Sequence, residues 1–134
     1  MRRVLTVGVF DMLHVGHFLL FKHARELGER LIVAVQTDEY VLKFKPEAKI
    51  INPMKDRMFM VGSIRYVDQV IEYHDVSDLI KEVDFDVFAK GPDQSHEGFQ
   101  RAIDWCKANG KEVCIIPRTE GISSTDLRDY LERR

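Results

Sequence analysis

The segment VLTVGVFDMLHVGHFLLFKHARELG, residues 4–28, decides the fold of this 134-residue chain. Residues 4–10 form an apolar, β-branched run, which predicts a buried strand. From residue 18 to residue 27, apolar side chains recur at spacings of three and four, which predicts a helix with Gly28 as its C-cap. Because a buried strand here leads straight into a helix, the segment predicts the start of a β-α-β unit and hence a parallel sheet.

The alternation of strands and helices continues along the chain. Four more short apolar runs predict strands, at residues 31–35, 67–71, 86–89 and 113–116. Helical spacing predicts two later helices, at residues 99–106 and 126–131. The pattern therefore predicts one α/β domain, residues 1–134, with a doubly wound, Rossmann-like, five-stranded parallel sheet and right-handed crossovers. Residues 43–53 contain two prolines and three lysines and are expected to form a mobile loop.

Net charge, cysteine spacing and the length of the apolar runs limit the kinds of partner expected for this chain. The net charge of −2 gives no overall positive field, so a nucleic-acid partner is not expected. Cys106 and Cys114 lack metal-ligand spacing and are predicted to be buried thiols in a reducing compartment. The apolar runs are far shorter than the ~20 residues of a membrane span, and because residues 1–3 lead straight into the first strand, no signal peptide is expected. A cytoplasmic protein without a membrane partner is expected.

Two histidines stand at the first strand–helix junction. The predicted strand ends at residues 8–11, and the helix is expected to begin near Val15 or Gly16, at the sheet edge where ligands of such folds bind. A helix start offers backbone N–H groups to a phosphate, and Gly16 allows close approach. His14 and His17 can turn toward the same anion and stabilise charge on phosphorus. They could instead be capping or surface histidines, or bind zinc, although no third ligand is near in sequence.

Two motifs in this chain resemble a known family. Residues 8–17, GVFDMLHVGH, are similar to the G-x-F-D-x-x-H-x-G-H segment of the nucleotidylyltransferase superfamily. Residues 118–125, RTEGISST, are similar to the R-T-x-G-I-S-T-T signature of its cytidylyltransferase branch, with Ser124 in place of the usual threonine. Residues 37–39 and 65–68 match as well, so the resemblance covers nearly the whole chain. It implies transfer of a cytidylyl group from CTP to a phosphorylated alcohol, with Mg²⁺ as cofactor and a homodimer as the usual assembly.

The resemblance also implies which residues act. His14 and His17 would contact the α- and β-phosphates, while Lys45 and Arg118 would bind the triphosphate and the leaving group. Arg118 suits phosphate because its guanidinium presents a planar pair of donors, and residues 123–126 are a hydroxyl-rich helix start. Mg²⁺ is expected to be held by nucleotide and water, with no protein ligand assigned. The remaining candidates for contact with the nucleotide are Gly8, Val9, Phe10, Asp11, Gly16, Lys43, Arg57, Asp93, Thr119, Gly121, Ile122, Ser123, Ser124 and Thr125.

Several of these candidates have alternative roles. Asp11 could orient an imidazole, lie near a metal or cap the following turn. Arg57 could bind phosphate or pair with a carboxylate, and Arg65 resembles a residue near the dimer contact. Asp93 would hold the nucleotide or acceptor, although Pro92 stands where an acidic residue is common.

The acceptor is the least determined part of this interpretation. Glycerol 3-phosphate, phosphocholine, phosphoethanolamine and other polyol or sugar phosphates are candidates, and overall resemblance favours glycerol 3-phosphate. Residues 73–76 read YHDV where the glycerol-phosphate branch has a tryptophan, and Trp105 falls in a predicted helix as a core or dimer residue. An adenylyltransferase of the same superfamily would lack the Arg-Thr-x-Gly-Ile-Ser run. A non-catalytic nucleotide-binding module would tend to lose the histidines.

Overall fold

The computed structural model describes residues 1–92, 94 and 96–117, which form a five-stranded parallel sheet covered by helices on both faces. The strands are β1 (Arg3–Gly8), β2 (Arg30–Gln36), β3 (Gln69–Tyr73), β4 (Val87–Lys90) and β5 (Glu112–Ile115). The helices are α1 (Val15–Glu26), α2 (Asp38–Phe44), α3 (Met54–Gly62), α4 (Val76–Glu82) and α5 (Glu97–Ala108). This architecture confirms the predicted doubly wound α/β fold. The predicted helix at residues 126–131 lies outside the described residues.

The strand order places the start of the chain at the centre of the sheet. Neighbouring strands follow the order β3-β2-β1-β4-β5, and every pairing is parallel. From β1 the chain builds the sheet outward through β2 and β3, and it then returns to the other side of β1 for β4 and β5. The connections diverge at the carboxyl ends of β1 and β4, which opens a crevice there.

The core has two layers because the sheet is buried on both faces. Leu5 and Val7 of β1 belong to a cluster that includes residues of α4 and α5. Val4 belongs to the opposite cluster, which contains residues of α1 and α3. Strands covered on both sides need apolar residues at successive positions, which explains the continuous apolar runs of the sequence.

The structure corrects several predicted boundaries. The third strand begins at Gln69, two residues later than predicted, because Val67 lies in a turn where its N–H donates to the Ile64 carbonyl oxygen. The first strand ends at Gly8, since the chain turns away at Phe10. The loop begins at Lys45, because α2 extends through the predicted start of the loop. With seven residues each, α2 and α4 are too short to show a helical repeat in the sequence.

Gly28 does not cap α1 in the manner predicted. The C-cap is Leu27, with ordinary right-handed dihedrals, and Gly28 does not have a positive φ. A Cβ at Gly28 would lie 2.6 Å from the carbonyl oxygen of Arg2, so the position needs glycine because two backbone segments approach closely.

The prediction of a buried thiol is confirmed for Cys106 and is wrong for Cys114, which lies in the edge strand β5. Cys106 is buried in α5, while Cys114 in β5 is only half-buried, and both are free thiols. Trp105 packs against the cluster that includes α4 and α5, as expected of a core residue.

Candidate active site

The junction between β1 and α1 is built on an unusual backbone. Phe10 and Met12 have φ values of 56° and 51°, a left-handed conformation that costs energy for residues other than glycine. The turn directs the buried Phe10 ring against Phe21, with centroids 5.0 Å apart, and against His17, at 5.9 Å. A Cβ on Gly8 would lie 2.8 Å from Cζ of Phe10. Gly8 therefore makes room for the ring that supports His17.

His14 and His17 form a reciprocal cap at the start of α1. Nδ1 of His14 accepts from the backbone N–H of Gly16 at 3.0 Å, and Nδ1 of His17 accepts from that of His14 at 3.2 Å. The two ring centroids lie 4.1 Å apart. An Nδ1 that accepts a hydrogen bond carries no proton, so each neutral ring has its proton on Nε2. The rings therefore cap the helix and each carry an Nε2–H donor.

This geometry changes the expected source of hydrogen bonds to an anion. The sequence predicted that backbone N–H groups of the helix start face a phosphate, but those of His14 and Gly16 donate to the two imidazoles. At the helix start, the donors assigned to an anion are therefore the Nε2–H groups of the two rings instead of these backbone amides. Burial, with a smaller contribution from His14, lowers the pKa of His17 to about 4, so this ring is neutral at pH 7.

Asp11 has a role that the sequence did not indicate. Its buried carboxylate accepts from the backbone N–H of Ile51 at 2.7 Å and from both the backbone and the side-chain amide of Asn52, each at 3.0 Å. These contacts fix the far end of the lysine-bearing loop to the junction that holds the histidines. No sequence pattern links residues forty positions apart, so only the fold reveals this contact.

Arg57 joins four segments at the carboxyl edge of the sheet. Its side chain is fully buried and forms an ion pair with Asp38, which is the carboxylate pairing that the sequence left open. Nη1 donates to the carbonyl oxygens of Val9 at 2.7 Å and Gln36 at 2.9 Å, and Nε donates to that of Asn52 at 3.0 Å. The guanidinium therefore holds the ends of β1 and β2, the loop and α2 in fixed positions.

A cavity of about 460 Å³ opens at the carboxyl ends of β1, β2 and β3, between α2 and the start of α5. Val9 and Lys45 line this cavity and also a neighbouring one of about 370 Å³ to which Asp11 contributes. Lys45 thus lies where the two spaces meet. Lys43 points elsewhere, with Nζ 4.8 Å from the centroid of the Tyr40 ring.

Several polar residues that line the larger cavity were not predicted from the sequence. They are Gln36, Asp75, Gln94, His96, Glu97 and Arg101. His96 caps α5 in the way that His14 caps α1, since its Nδ1 accepts from the backbone N–H of Gly98 at 3.1 Å. The repeated His-x-Gly spacing was a signal that could have identified it. The other residues come together only through the fold.

The second half of the predicted site consists of Asp93 and the motif that begins at Arg118. Asp93, Arg118 and residues 119–125 lie outside the described residues. Within residues 1–92, 94 and 96–117, no group of three His, Cys, Asp or Glu side chains is arranged to hold a metal ion. Over the same residues, none of the helices has the length and apolar character needed to cross a membrane.

Comparisons with known proteins agree with the fold and the motifs. The model of the cytidylyltransferase-like family matches residues 5–130. The chain is 42% identical to a glycerol-3-phosphate cytidylyltransferase of Staphylococcus aureus, over 98% of this chain and 96% of that protein. It is 37% identical to the bifunctional protein HldE of Klebsiella pneumoniae, over 97% of this chain but only 28% of that longer protein.

A solved structure shares the architecture as well. The lipopolysaccharide core biosynthesis protein of Thermoplasma volcanium superposes with a TM-score of 0.73 and 28% identity, over 89% of this chain and 97% of that protein. The family model thus matches almost the whole chain, the sheet is parallel, and the paired histidines follow its first strand. The chain belongs to the cytidylyltransferase-like family and is a nucleotidyltransferase.

Proposed function

We propose that this enzyme transfers the cytidylyl group of CTP to a small phosphorylated polyol, with glycerol 3-phosphate as the first candidate. The products would be CDP-glycerol and pyrophosphate. The observation that carries the proposal is the His14–His17 pair at the start of α1, whose two Nε2–H donors stand at the same edge of the sheet as a cavity lined by Gly8 and Val9. The name of the Staphylococcus aureus relative supports the choice of acceptor.

The proposed reaction is a displacement at the α-phosphorus of CTP. An oxygen of the acceptor phosphate forms a bond to the α-phosphorus, the bond from that phosphorus to the bridging oxygen breaks, and pyrophosphate leaves. The attacking oxygen is already anionic, so no general base is required. Catalysis then consists of positioning and of stabilising the charge on the transferred group.

Each residue contributes to that stabilisation in a defined way. We assign His14 and His17 to the oxygens of the α- and β-phosphates, because each ring has an Nε2–H group that can donate to a phosphate oxygen. Lys45 would bind the triphosphate from the border between the two cavities, where a compact positive charge can reach an anion in either space. Arg118 is assigned to the leaving group from its place in the motif.

Mg²⁺ would neutralise phosphate charge, and we infer that it enters together with CTP. Asp11, the carboxylate nearest in sequence to the two histidines, is already engaged by the amides of Ile51 and Asn52. The described part of the chain therefore suits an ion held mainly by phosphate and water, which is the coordination that Mg²⁺ prefers.

We further infer a homodimer that forms through α3 and the edge strand β3. The side chain of Phe59 is 75% exposed, and beside it lies a groove lined in part by Met58 and Val70. An exposed aromatic next to an apolar groove is typical of an interface. Light scattering after gel filtration should give twice the chain mass, and Phe59→Ser should give the monomer. A wild-type monomer at micromolar concentration would contradict the dimer.

We also propose a cytoplasmic location for the enzyme, because CTP is available there.

Pyrophosphate release from each nucleoside triphosphate, measured against a panel of phosphorylated acceptors, tests the proposed reaction. Turnover is expected with CTP and glycerol 3-phosphate. Turnover with ATP and none with CTP would show an adenylyltransferase instead. Absence of turnover with every pair would favour a nucleotide-binding module.

A further inference from the structure

We propose that His96 contacts the acceptor and determines its chemical class, and that the 460 Å³ cavity is the acceptor subsite for a phosphorylated polyol. This inference rests on the proposed cytidylyl transfer. His96 lies about eighty residues from the histidine motif and outside residues 8–17 and 118–125, the two motifs that carry the resemblance.

The cavity lies where an acceptor has to lie. Gly8, Gln36 and Tyr73 form the part of its lining that comes from the ends of three adjacent strands. Gly8 also contacts the Phe10 ring that supports His17, so the cavity borders the junction where the α-phosphorus is expected. An acceptor phosphate near Lys45 would have its alcohol portion extending toward α5.

His96 is partly exposed at the start of α5, where one hydrogen bond and two ring contacts orient its side chain. Its Nδ1 accepts from the backbone N–H of Gly98 at 3.1 Å, so the proton of the neutral ring is on Nε2. The ring lies parallel to Phe44, with centroids 6.2 Å apart, and edge-on to Phe99 at 4.5 Å. A Cβ on Gly98 would lie 3.0 Å from Cε1 of His96, so the ring occupies space that glycine leaves open. A donor fixed in this way loses little entropy when it binds a ligand.

The charges around the cavity suit a polyol. Its lining carries two carboxylates, Asp75 and Glu97, and two cations, Lys45 and Arg101, and Arg101 pairs with Glu97 at 3.0 Å. Burial is the main cause that lowers the pKa of His96, Asp75 opposes that effect, and Lys45 and Arg101 add to it. His96 is therefore a neutral donor among groups of both signs. Hydroxyl groups can both donate and accept in such a setting. The quaternary ammonium of phosphocholine would meet the charge of Lys45, while an aromatic cage free of cations would suit it better.

Two substitutions separate the cap from the ligand contact. Asn at position 96 keeps an acceptor for the Gly98 amide but has no group where Nε2 lies. Gln places its amide nitrogen near the position of Nε2 but loses the short cap. His96→Asn should therefore raise the dissociation constant for glycerol 3-phosphate about tenfold and leave that for CTP unchanged, while His96→Gln should retain acceptor binding. His23→Asn, on the exposed side of α1, is the matched control.

Calorimetric titration of glycerol 3-phosphate, with α,β-methylene CTP present, measures this binding without requiring turnover. The wild type should also bind glycerol 3-phosphate more tightly than phosphocholine. Equal acceptor affinity in wild type and His96→Asn, equal losses for acceptor and CTP, or no binding of the polyol phosphate to wild type would each overturn the inference. Binding that depends on His96, without any turnover, would refute the proposed reaction and keep the acceptor subsite.

Discussion

The backbone N–H of His14 donates to Nδ1 of His17 at 3.2 Å, so the second histidine of the motif is oriented by the first. The Gly16 amide orients His14 in turn. The two rings thus stabilise the helix start and also carry the donors assigned to the phosphates. Replacing either ring by alanine would remove both functions together, so a test of catalysis requires substitutions that keep the cap.

His14→Asn and His17→Asn provide that test, because the Asn oxygen can replace Nδ1 while the Nε2–H donor is lost. Removing one preorganised donor to a transition-state charge lowers kcat by about 10²–10³, and we expect such a loss for each variant. Circular dichroism and thermal unfolding should remain close to wild type. His14→Ala should in addition lose about 1 kcal/mol of stability with the cap. Near-full turnover in either Asn variant would contradict the assignment of that ring.

Arg57→Met is expected to destabilise the fold. The substitution keeps the length of the buried stem, but it leaves Asp38 without its partner and removes the donors to the Val9, Gln36 and Asn52 carbonyls. Because Asp38 is partly exposed, most of the loss should come from the three carbonyls left without their donor, and the free energy of unfolding should fall by about 3 kcal/mol in urea titrations. Lys22→Met, at an exposed position of α1, should change it by less than about 0.5 kcal/mol. Similar losses for both variants would show that the Arg57 contacts contribute little.

Two glycine substitutions should have opposite effects. Gly8→Ala places a Cβ 2.8 Å from the Phe10 ring, so that ring must move away and disturb its contact with His17. We expect a loss of about 1–3 kcal/mol in unfolding free energy, together with lower kcat. Gly62→Ala meets only an ordinary 3.4 Å contact with Val70 and should stabilise α3 by about 0.5 kcal/mol. A neutral Gly8→Ala variant would disprove the steric role of that position.

Acidification should destabilise the wild type partly through His17. The pKa of this histidine is lowered from 6.5 to about 4 in the folded state, so the unfolded chain binds a proton first as the pH falls. The contribution of the neutral ring is complete above pH 6.5 and is lost progressively toward pH 4, by about 2 kcal/mol once partial exposure is allowed for.

Urea titrations of wild type and His17→Asn between pH 7 and pH 4 measure this contribution. The wild-type stability should fall more steeply with acid, and the difference isolates His17 because His96 and Asp75, whose pKa values are also lowered, are present in both proteins. His23→Asn should follow the wild type. Parallel pH profiles for wild type and His17→Asn would contradict the lowered pKa.

The sequence by itself determined the architecture, because the type of an element depends on local patterns. Apolar runs of strand length alternate with segments in which apolar residues recur at helical spacing. This pattern predicts a parallel sheet buried on both faces, and the structure confirms five strands. Family membership also follows from the sequence, since residues 8–17 and 118–125 carry it. The start of α1 at Val15 was predictable from the histidines and glycine that cap it.

Only the tertiary structure decided what surrounds the histidines. Asp11 reaches a loop forty residues away, Arg57 joins the ends of β1 and β2, and His96 lines a cavity at the ends of β1, β2 and β3. None of these contacts has a repeat or a spacing that a sequence could display, because they depend on which strand ends become neighbours. The order β3-β2-β1-β4-β5 sets that proximity through hydrogen bonding and burial across the whole sheet. Periodicity along the chain thus determines the elements, whereas packing between distant segments determines the site.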